Sequence, residues 1–250
     1  MSGQISLSEQ DSSEESANSS TSTGRQLVLA SQSPRRRRLL KWLGLPFTVT
    51  AVDTDESLNT PLAADPPALA ISLAAEKAAA ARSDLGAVLG ADALLLCFDT
   101  VVVLGGEVLG KPTDADDARR MLRELSGRTH QVVTGVALLG PGESQPQTFA
   151  TATNVTMRQL SDADIEAWMA QGAFMGCAGA YNIEAQVAEV TDDECYQNVA
   201  GLPLCHLYAR LVGDAAVHAM LPGEPAVPVA QCDAALGRRC TLGPKVVGGV

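Results

Sequence analysis

The sequence predicts an α/β fold, a mixed central sheet with helices on both faces, and three observations support this. Strand-like apolar runs alternate with helix-like segments through most of the chain, the pattern that layers helices on a sheet. The 250 residues are 46% hydrophobic, enough to fill a sizeable core and too many for a wholly disordered chain. The 22 glycines and 13 prolines break the chain too often for a coiled coil.

Residues 1–24 are rich in Ser, Thr, Glu and Gln without apolar periodicity, and read as a disordered tail. Order begins with Leu27-Val28-Leu29-Ala30, a run suited to a buried strand. Ser33 is an N-cap candidate with Pro34 at the first helical position, where its missing N–H costs nothing. That helix should run to about Leu43 and stop at Gly44. Residues 47–52 read as a strand, 61–67 as a loop and the Ala- and Leu-rich 68–82 as a helix. Residues 86–99 suit a central strand, although Gly90 and Asp92 interrupt it.

Residues 100–104 and 107–109 form a hairpin around Gly105-Gly106. A helix follows from Thr113-Asp114 to about Leu125, closed by Gly127. Residues 131–139 and 147–157 are two more strands. Residues 161–170 form a helix with Ser161 and Asp164 spaced as a near capping box, and 203–212 form another. From Asp214 the chain turns rich in Pro, Gly and Ala and reads as an appendage. The expected organisation is a tail at 1–24, one domain at 25–212 and a C-terminal appendage at 213–250.

The 18 Lys and Arg against 29 Asp and Glu leave a net charge of −11. That field argues against nucleic acid or a membrane surface as partner, and leaves room for a local basic pocket holding one phosphorylated small molecule. No apolar run approaches the roughly 20 residues of a membrane span, and no secretory leader is visible. A cytoplasmic location is expected. The six cysteines form no CxxC pair, and even with His206 or His218 added they show no zinc-ligand spacing, so they read as scattered reduced thiols.

The most informative segment is Leu29-Ala-Ser-Gln-Ser-Pro-Arg-Arg-Arg-Arg38, a strand running into a helix start with four arginines behind it. Backbone N–H groups there attract anions, and arginines add bidentate donors for phosphate oxygens. The alternative is a solvated basic face. Crowded like charges at the positive helix end favour an anionic partner. A second element places Asp99 near a strand end and Lys111 just past a hairpin. A carboxylate there can hold a divalent cation or activate water, and a lysine can neutralise phosphate. The third, Asp53-Thr-Asp-Glu56, is either a metal-bridging cluster or a solvated acidic loop. Lys77, on the Ala-rich helix, reads by itself as a snorkelling lysine.

Nine stretches occur together in one order: Ser31-Gln-Ser-Pro-Arg-Arg36, Val52-Asp-Thr-Asp-Glu56, Glu76-Lys77-Ala78, Asp99-Thr100-Val101-Val102, Gly110-Lys111-Pro112, Leu125-Ser-Gly-Arg128, Thr134-Gly135-Val136, Ala178-Gly-Ala-Tyr181 and Gly201-Leu-Pro-Leu204. In these the chain resembles the Maf family of nucleoside triphosphate pyrophosphatases, over about residues 27–211. The resemblance implies two lobes around a cleft, hydrolysis of a nucleoside triphosphate to the monophosphate and pyrophosphate, and a divalent cation, Mg²⁺ or Mn²⁺. Ser33, Arg35 and Arg36 are implied to hold the triphosphate, with Lys77 and Lys111 adding positive charge and Thr100 beside them. Glu56 and Asp99 are implied to organise the metal and the attacking water, with Asp99 as general base.

Two departures from the family pattern matter. Gly90-Ala91-Asp92 and Asp99-Thr100-Val101 are separated here where the family joins them, so either aspartate can be the base; spacing to Lys111 favours Asp99. The resemblance implies that Glu184 binds the base of the substrate; it stands where the family's dTTP/UTP branch has Gln and its 7-methyl-GTP branch has Glu. A carboxylate only accepts hydrogen bonds, whereas a Gln amide also donates. The dTTP/UTP branch is the expectation, with 7-methyl-GTP or other modified nucleotides as the alternative. The family also implies a homodimer, and a competing role as a nucleotide-binding regulator of septum formation with little turnover.

Overall fold

The computed structural model describes residues 24–54, 57–85 and 92–249. The expected tail up to Thr23, Glu56, and the Gly90-Ala91 pair lie outside the described residues.

The chain opens with β1 (Gln26–Ala30), whose last four residues are buried. It turns at Ser33 into α1 (Pro34–Leu40), extended by a 3-10 turn at Lys41–Leu43 and ended by Gly44 in the left-handed region, as the sequence predicts. Strand β2 (Thr48–Thr50) is shorter than expected. The expected loop at 61–67 is instead a 3-10 turn, Pro61–Ala64, followed by α2 (Pro66–Leu85). The helix starts early because Asp65 caps it through the Ala68 N–H, while Pro66 and Pro67 occupy first-turn positions that need no N–H partner.

The central strand β3 (Ala93–Leu104) spans twelve residues, eleven of them buried, and turns through Gly105-Gly106 into β4 (Glu107–Leu109). Both turn glycines have positive φ, +61° and +90°, which favours residues without a Cβ. There follow α3 (Ala115–Leu125), capped by Asp114, then β5 (Thr129–Leu139), β6 (Gln147–Met157) and α4 (Asp162–Met169), whose Ser161 and Asp164 complete a capping box. Next come β7 (Ala188–Glu189), α5 (Tyr196–Val199) and α6 (Leu204–Gly213).

Beyond Gly213 three short helices form, α7 (Ala215–His218), α8 (Val229–Leu236) and α9 (Leu242–Val247). They are tied back onto the preceding chain: the Ala226 N–H donates to Leu43 O, Thr241 N–H to Asp192 O, and α9 packs on α6.

The seven strands form one mixed sheet in the order β2-β1-β3-β5-β6-β7, with β4 on β3. Strand β1 is parallel to β2 and β3; the remaining pairs are antiparallel. On β3, Cys97, Val101 and Val103 face the small side chains of α2, while Leu94, Leu96, Phe98 and Val102 join the larger core with α1, α3 and α6. Gly135, opposite Asp99 on β5, lets α2 approach; a Cβ there would overlap the Ala70 carbonyl. Among the described residues, no helix is long and apolar enough to cross a membrane.

Candidate active site

Two strands share one side of β3 and leave a gap between them. Strand β1 ends at Ala30 opposite Cys97, and β4 begins pairing at Val102. Residues 98–101 therefore present an open strand edge just beyond the carboxyl end of β1, where α/β sheets bind ligands. Alternation sends Asp99 and Thr100 to opposite faces of the sheet at this notch.

Asp99 is buried, and its carboxylate pairs with the ammonium of Lys77, also buried, which α2 carries over the sheet. The sequence reading of Lys77 as a snorkelling side chain therefore gives way to that of an ion-pair partner inside the site. Asp92 is exposed at the start of β3, seven residues earlier, about 20 Å away at the rise of a strand.

On the other face, hydrogen bonds to three described residues fix Arg36. Its Nε donates to Gly201 O (2.8 Å), Nη2 to Thr100 Oγ1 (3.0 Å) and Nη1 to Ser31 Oγ (3.3 Å). The guanidinium also sits 5.7 Å from the centre of the Phe98 ring. Behind Thr100 a polar chain runs inward. Thr134 Oγ1 donates to Asn198 O (3.1 Å) and lies 3.0 Å from Thr100 Oγ1. Since Thr134 spends its proton on Asn198, Thr100 must donate to Thr134. Asn198 Nδ2 donates to Val132 O and Thr153 Oγ1, both at 3.1 Å. The network satisfies the Asn198 amide N–H groups and both threonine hydroxyls, leaves Asn198 Oδ1 buried without a partner among the described residues, and pins the backbone around Gly201 to the sheet.

A narrow hollow of about 80 Å³ opens at the notch, and the wider one beside it, of about 440 Å³, is within the usual size of a small-molecule site. Ser33, Arg35, Arg36, Asp99, Thr100 and Lys111 line the polar side of the narrow hollow, and Val102, Val132, Tyr181 and Val199 part of its apolar side. The wider hollow shares Ser33, Arg35 and Lys111 and adds Asp53 and Lys77. Among the described lining residues, Arg35, Arg36, Lys77 and Lys111 outnumber Asp53 and Asp99 by four to two, so a strongly acidic protein carries a locally basic cleft.

Ser33 caps α1 by accepting from the Arg36 N–H (3.4 Å), which fixes the turn that carries Arg35 and Arg36. The Lys111 loop is held where the Gly179 N–H donates to Gly110 O (2.9 Å). Tyr181, on the wall, bonds His130 Nε2 at 2.7 Å. Burial pushes the His130 imidazole down to about 4, and burial, against the opposing pull of Lys77 and Arg36, pushes the Cys97 thiol up to about 12.

Seven of the residues singled out in the sequence thus meet at one place: Ser33, Arg35, Arg36, Lys77, Asp99, Thr100 and Lys111. Glu184 lies elsewhere, half-exposed and ion-paired with Arg38 on α1, and does not line either hollow. Asn198 went unnoticed in the sequence because its segment has no periodicity. Cys177, which lines both hollows, likewise carries no local signal.

Residues 26–213 match the family described as Maf-like protein. A dTTP/UTP pyrophosphatase of Pelotomaculum thermopropionicum is 42% identical over 185 residues, covering 73% of this chain and 93% of the relative. One of Anaeromyxobacter dehalogenans is 45% identical over 192 residues (74% and 92%), and one of Moorella thermoacetica is 46% identical over 183 residues (71% and 89%).

Proposed function

The chain belongs to the Maf-like protein family, and on that premise we propose that it is a nucleoside triphosphate pyrophosphatase, breaking the α–β phosphoanhydride bond of dTTP and UTP with water to release the monophosphate and pyrophosphate. The observation that carries this reading is the meeting of four basic side chains with one buried carboxylate at the open edge of β3. Attack on phosphorus needs charge neutralised and groups held in line more than it needs covalent help.

In this reading Ser33, Arg35 and Arg36 bind the triphosphate and Lys111 neutralises it from across the hollow. Arg36 arrives already oriented by Gly201, Ser31 and Thr100, so little of its freedom is lost on binding. Asp99 takes the proton of the attacking water, and Lys77 holds its carboxylate in place.

A divalent cation, Mg²⁺ or Mn²⁺, is part of the proposal. The donors fit it: Asp99 and Asp53 offer hard oxygens in adjoining hollows, and Mg²⁺ commonly takes one or two carboxylates together with substrate phosphates. Glu56 is the further ligand implied by the sequence. When bound, the ion would offset charge on the phosphate oxygens.

Removal of surplus nucleotides before their incorporation into nucleic acid, in a cytoplasmic setting, follows from the same proposal. The free state of all six cysteines supports that compartment. A homodimer belongs to the proposal through the family resemblance, and sedimentation tests it. The function is tested by incubating the protein and Mg²⁺ with dTTP, UTP, 7-methyl-GTP and the common nucleotides and measuring pyrophosphate. Pyrophosphate from dTTP and UTP is expected. Tight binding with no turnover on any nucleotide would instead favour a regulator.

A further inference from the structure

Two of the hydrogen bonds that fix Arg36 lead back to a single carbonyl, that of Asn198 on α5. Along one arm, Arg36 Nη2 donates to Thr100 Oγ1 (3.0 Å), Thr100 donates to Thr134 Oγ1 (3.0 Å), and Thr134 donates to Asn198 O (3.1 Å). Along the other, Arg36 Nε donates to Gly201 O (2.8 Å), and the Gly201 N–H donates to the same Asn198 O (2.9 Å). A carbonyl oxygen has two lone pairs, and each arm takes one. Asn198 itself is fully buried and lines neither hollow.

The side chain of Asn198 holds that carbonyl in place. Its Nδ2 reaches Val132 O on β5 and Thr153 Oγ1 on β6, adjacent strands of the sheet. The Thr153 hydroxyl proton goes to Cys195 O (3.1 Å), so both groups facing the amide can only accept. The nitrogen, not Oδ1, must therefore point at them. With the amide fixed, every proton in the arm through Thr134 and Thr100 has one direction, and neither hydroxyl can rotate without losing a bond. Gly201 completes the other arm at φ +93°, where a Cβ would stand 3.2 Å from Arg36 Nε.

From this geometry we infer that Asn198 is a positioning residue for Arg36: it sets the angle of the guanidinium to the cleft from a buried site, without touching substrate. The inference rests on the proposed function in one respect, that Arg36 binds the triphosphate. A guanidinium is a rigid planar fork, and few of its orientations place two N–H groups on the oxygens of one phosphate. Releasing either arm at Asn198 lets the fork turn, and the freedom gained must be lost again when nucleotide binds. Substrate and transition state meet the same phosphate contact, so the effect falls on KM more than on kcat.

The test uses the full-length protein with dTTP and Mg²⁺. Asn198→Asp keeps the shape of the amide but sets a carboxylate against two acceptors. Thr134→Val keeps the shape of the threonine and cuts one arm, and it carries the test if the aspartate variant does not fold. KM is expected to rise roughly 3–10-fold in each, with kcat within about twofold of native. Thr134→Ser, which restores the hydroxyl, keeps the native KM. In an Arg36→Lys background the same substitutions add nothing further to KM, because the residue they act through is gone. A second readout needs no turnover: the Arg36 Nε–H, identified by NMR as the signal missing from Arg36→Lys, exchanges with water several-fold faster in both variants. KM effects that add fully in the Arg36→Lys background overturn the inference. So does a loss of kcat with KM unchanged, or an Arg36 Nε–H exchange rate that stays native. If the native protein releases no pyrophosphate from any nucleotide, the proposed function falls, and the exchange measurement still decides the role of Asn198.

Discussion

Lys77 on α2 and Asp99 on β3, 22 residues apart in sequence, form a buried ion pair where the sheet edge is open. Neither is placed there by its own segment. The Ala-rich face of α2 and the bare Gly135 bring the helix close enough for the lysine to reach across.

Replacing Asp99 by Asn keeps its shape and removes its basicity. Turnover should fall by about 10²–10⁴-fold, the usual contribution of a general base, while nucleotide binding changes little. Asp92→Asn, altered at the far end of β3, should leave turnover intact. Steady-state kinetics with equilibrium binding of a non-hydrolysable analogue checks both, and a dead Asp92 variant would move the base.

Lys77→Met leaves the Asp99 carboxylate buried without this partner. A loss of about 3–5 kcal/mol is expected on urea unfolding. Adding Asp99→Leu to it should recover much of that stability without restoring turnover, since a buried pair replaced by apolar groups need not destabilise.

Arg36 and Arg35 should respond differently to lysine. Arg36 meets Gly201, Ser31 and Thr100 at once, a fork that an ammonium cannot reproduce. Arg36→Lys should therefore raise KM for the triphosphate and also lower stability by about 2 kcal/mol. Arg35→Lys should raise KM with a far smaller effect on stability. Equal stability losses would show that the Arg36 contacts carry no net energy.

His130 links stability to pH. Its folded-state pKa is pushed down to about 4 by burial, below the ordinary 6.5. Protonation therefore favours the unfolded chain. The contribution is complete above about pH 6.5 and is lost as pH falls toward 4, by up to about 3 kcal/mol. His206, lowered by burial too, acts in the same direction. The His130→Gln variant should show a shallower loss of stability than the native protein across that window, as measured by urea unfolding at each pH.

Gly135→Ala should push α2 off the sheet, because the added methyl overlaps the Ala70 carbonyl. Overpacking of this kind costs about 1–3 kcal/mol. Turnover should fall further than stability alone explains, since Lys77 moves with the helix. A native turnover number in this variant would argue that the position of Lys77 is not critical.

Much of the fold was legible locally. Ser33-Pro34 announced a helix start, Gly105-Gly106 a hairpin, and Ser161 with Asp164 a capping box, because caps and turns are decided by neighbouring residues. The start of α2 was harder, since Pro66-Pro67 reads as loop until Asp65 is seen to cap it. Seven of the site residues were legible through a motif. Asn198 was not, because its task is to satisfy Val132 and Thr153 from a different part of the chain.

The sequence alone determined the α/β class, the strand-to-helix turn that holds Arg35 and Arg36, and the residue types available for phosphate chemistry. These depend on side-chain periodicity and on interactions spanning a few residues. Tertiary structure alone decided that Asp99 rather than Asp92 faces the cleft, that Lys77 pairs with it, and that Glu184 turns to Arg38. Those outcomes depend on where β1 stops beside β3 and how closely α2 packs, distances set by the whole core rather than by any one segment.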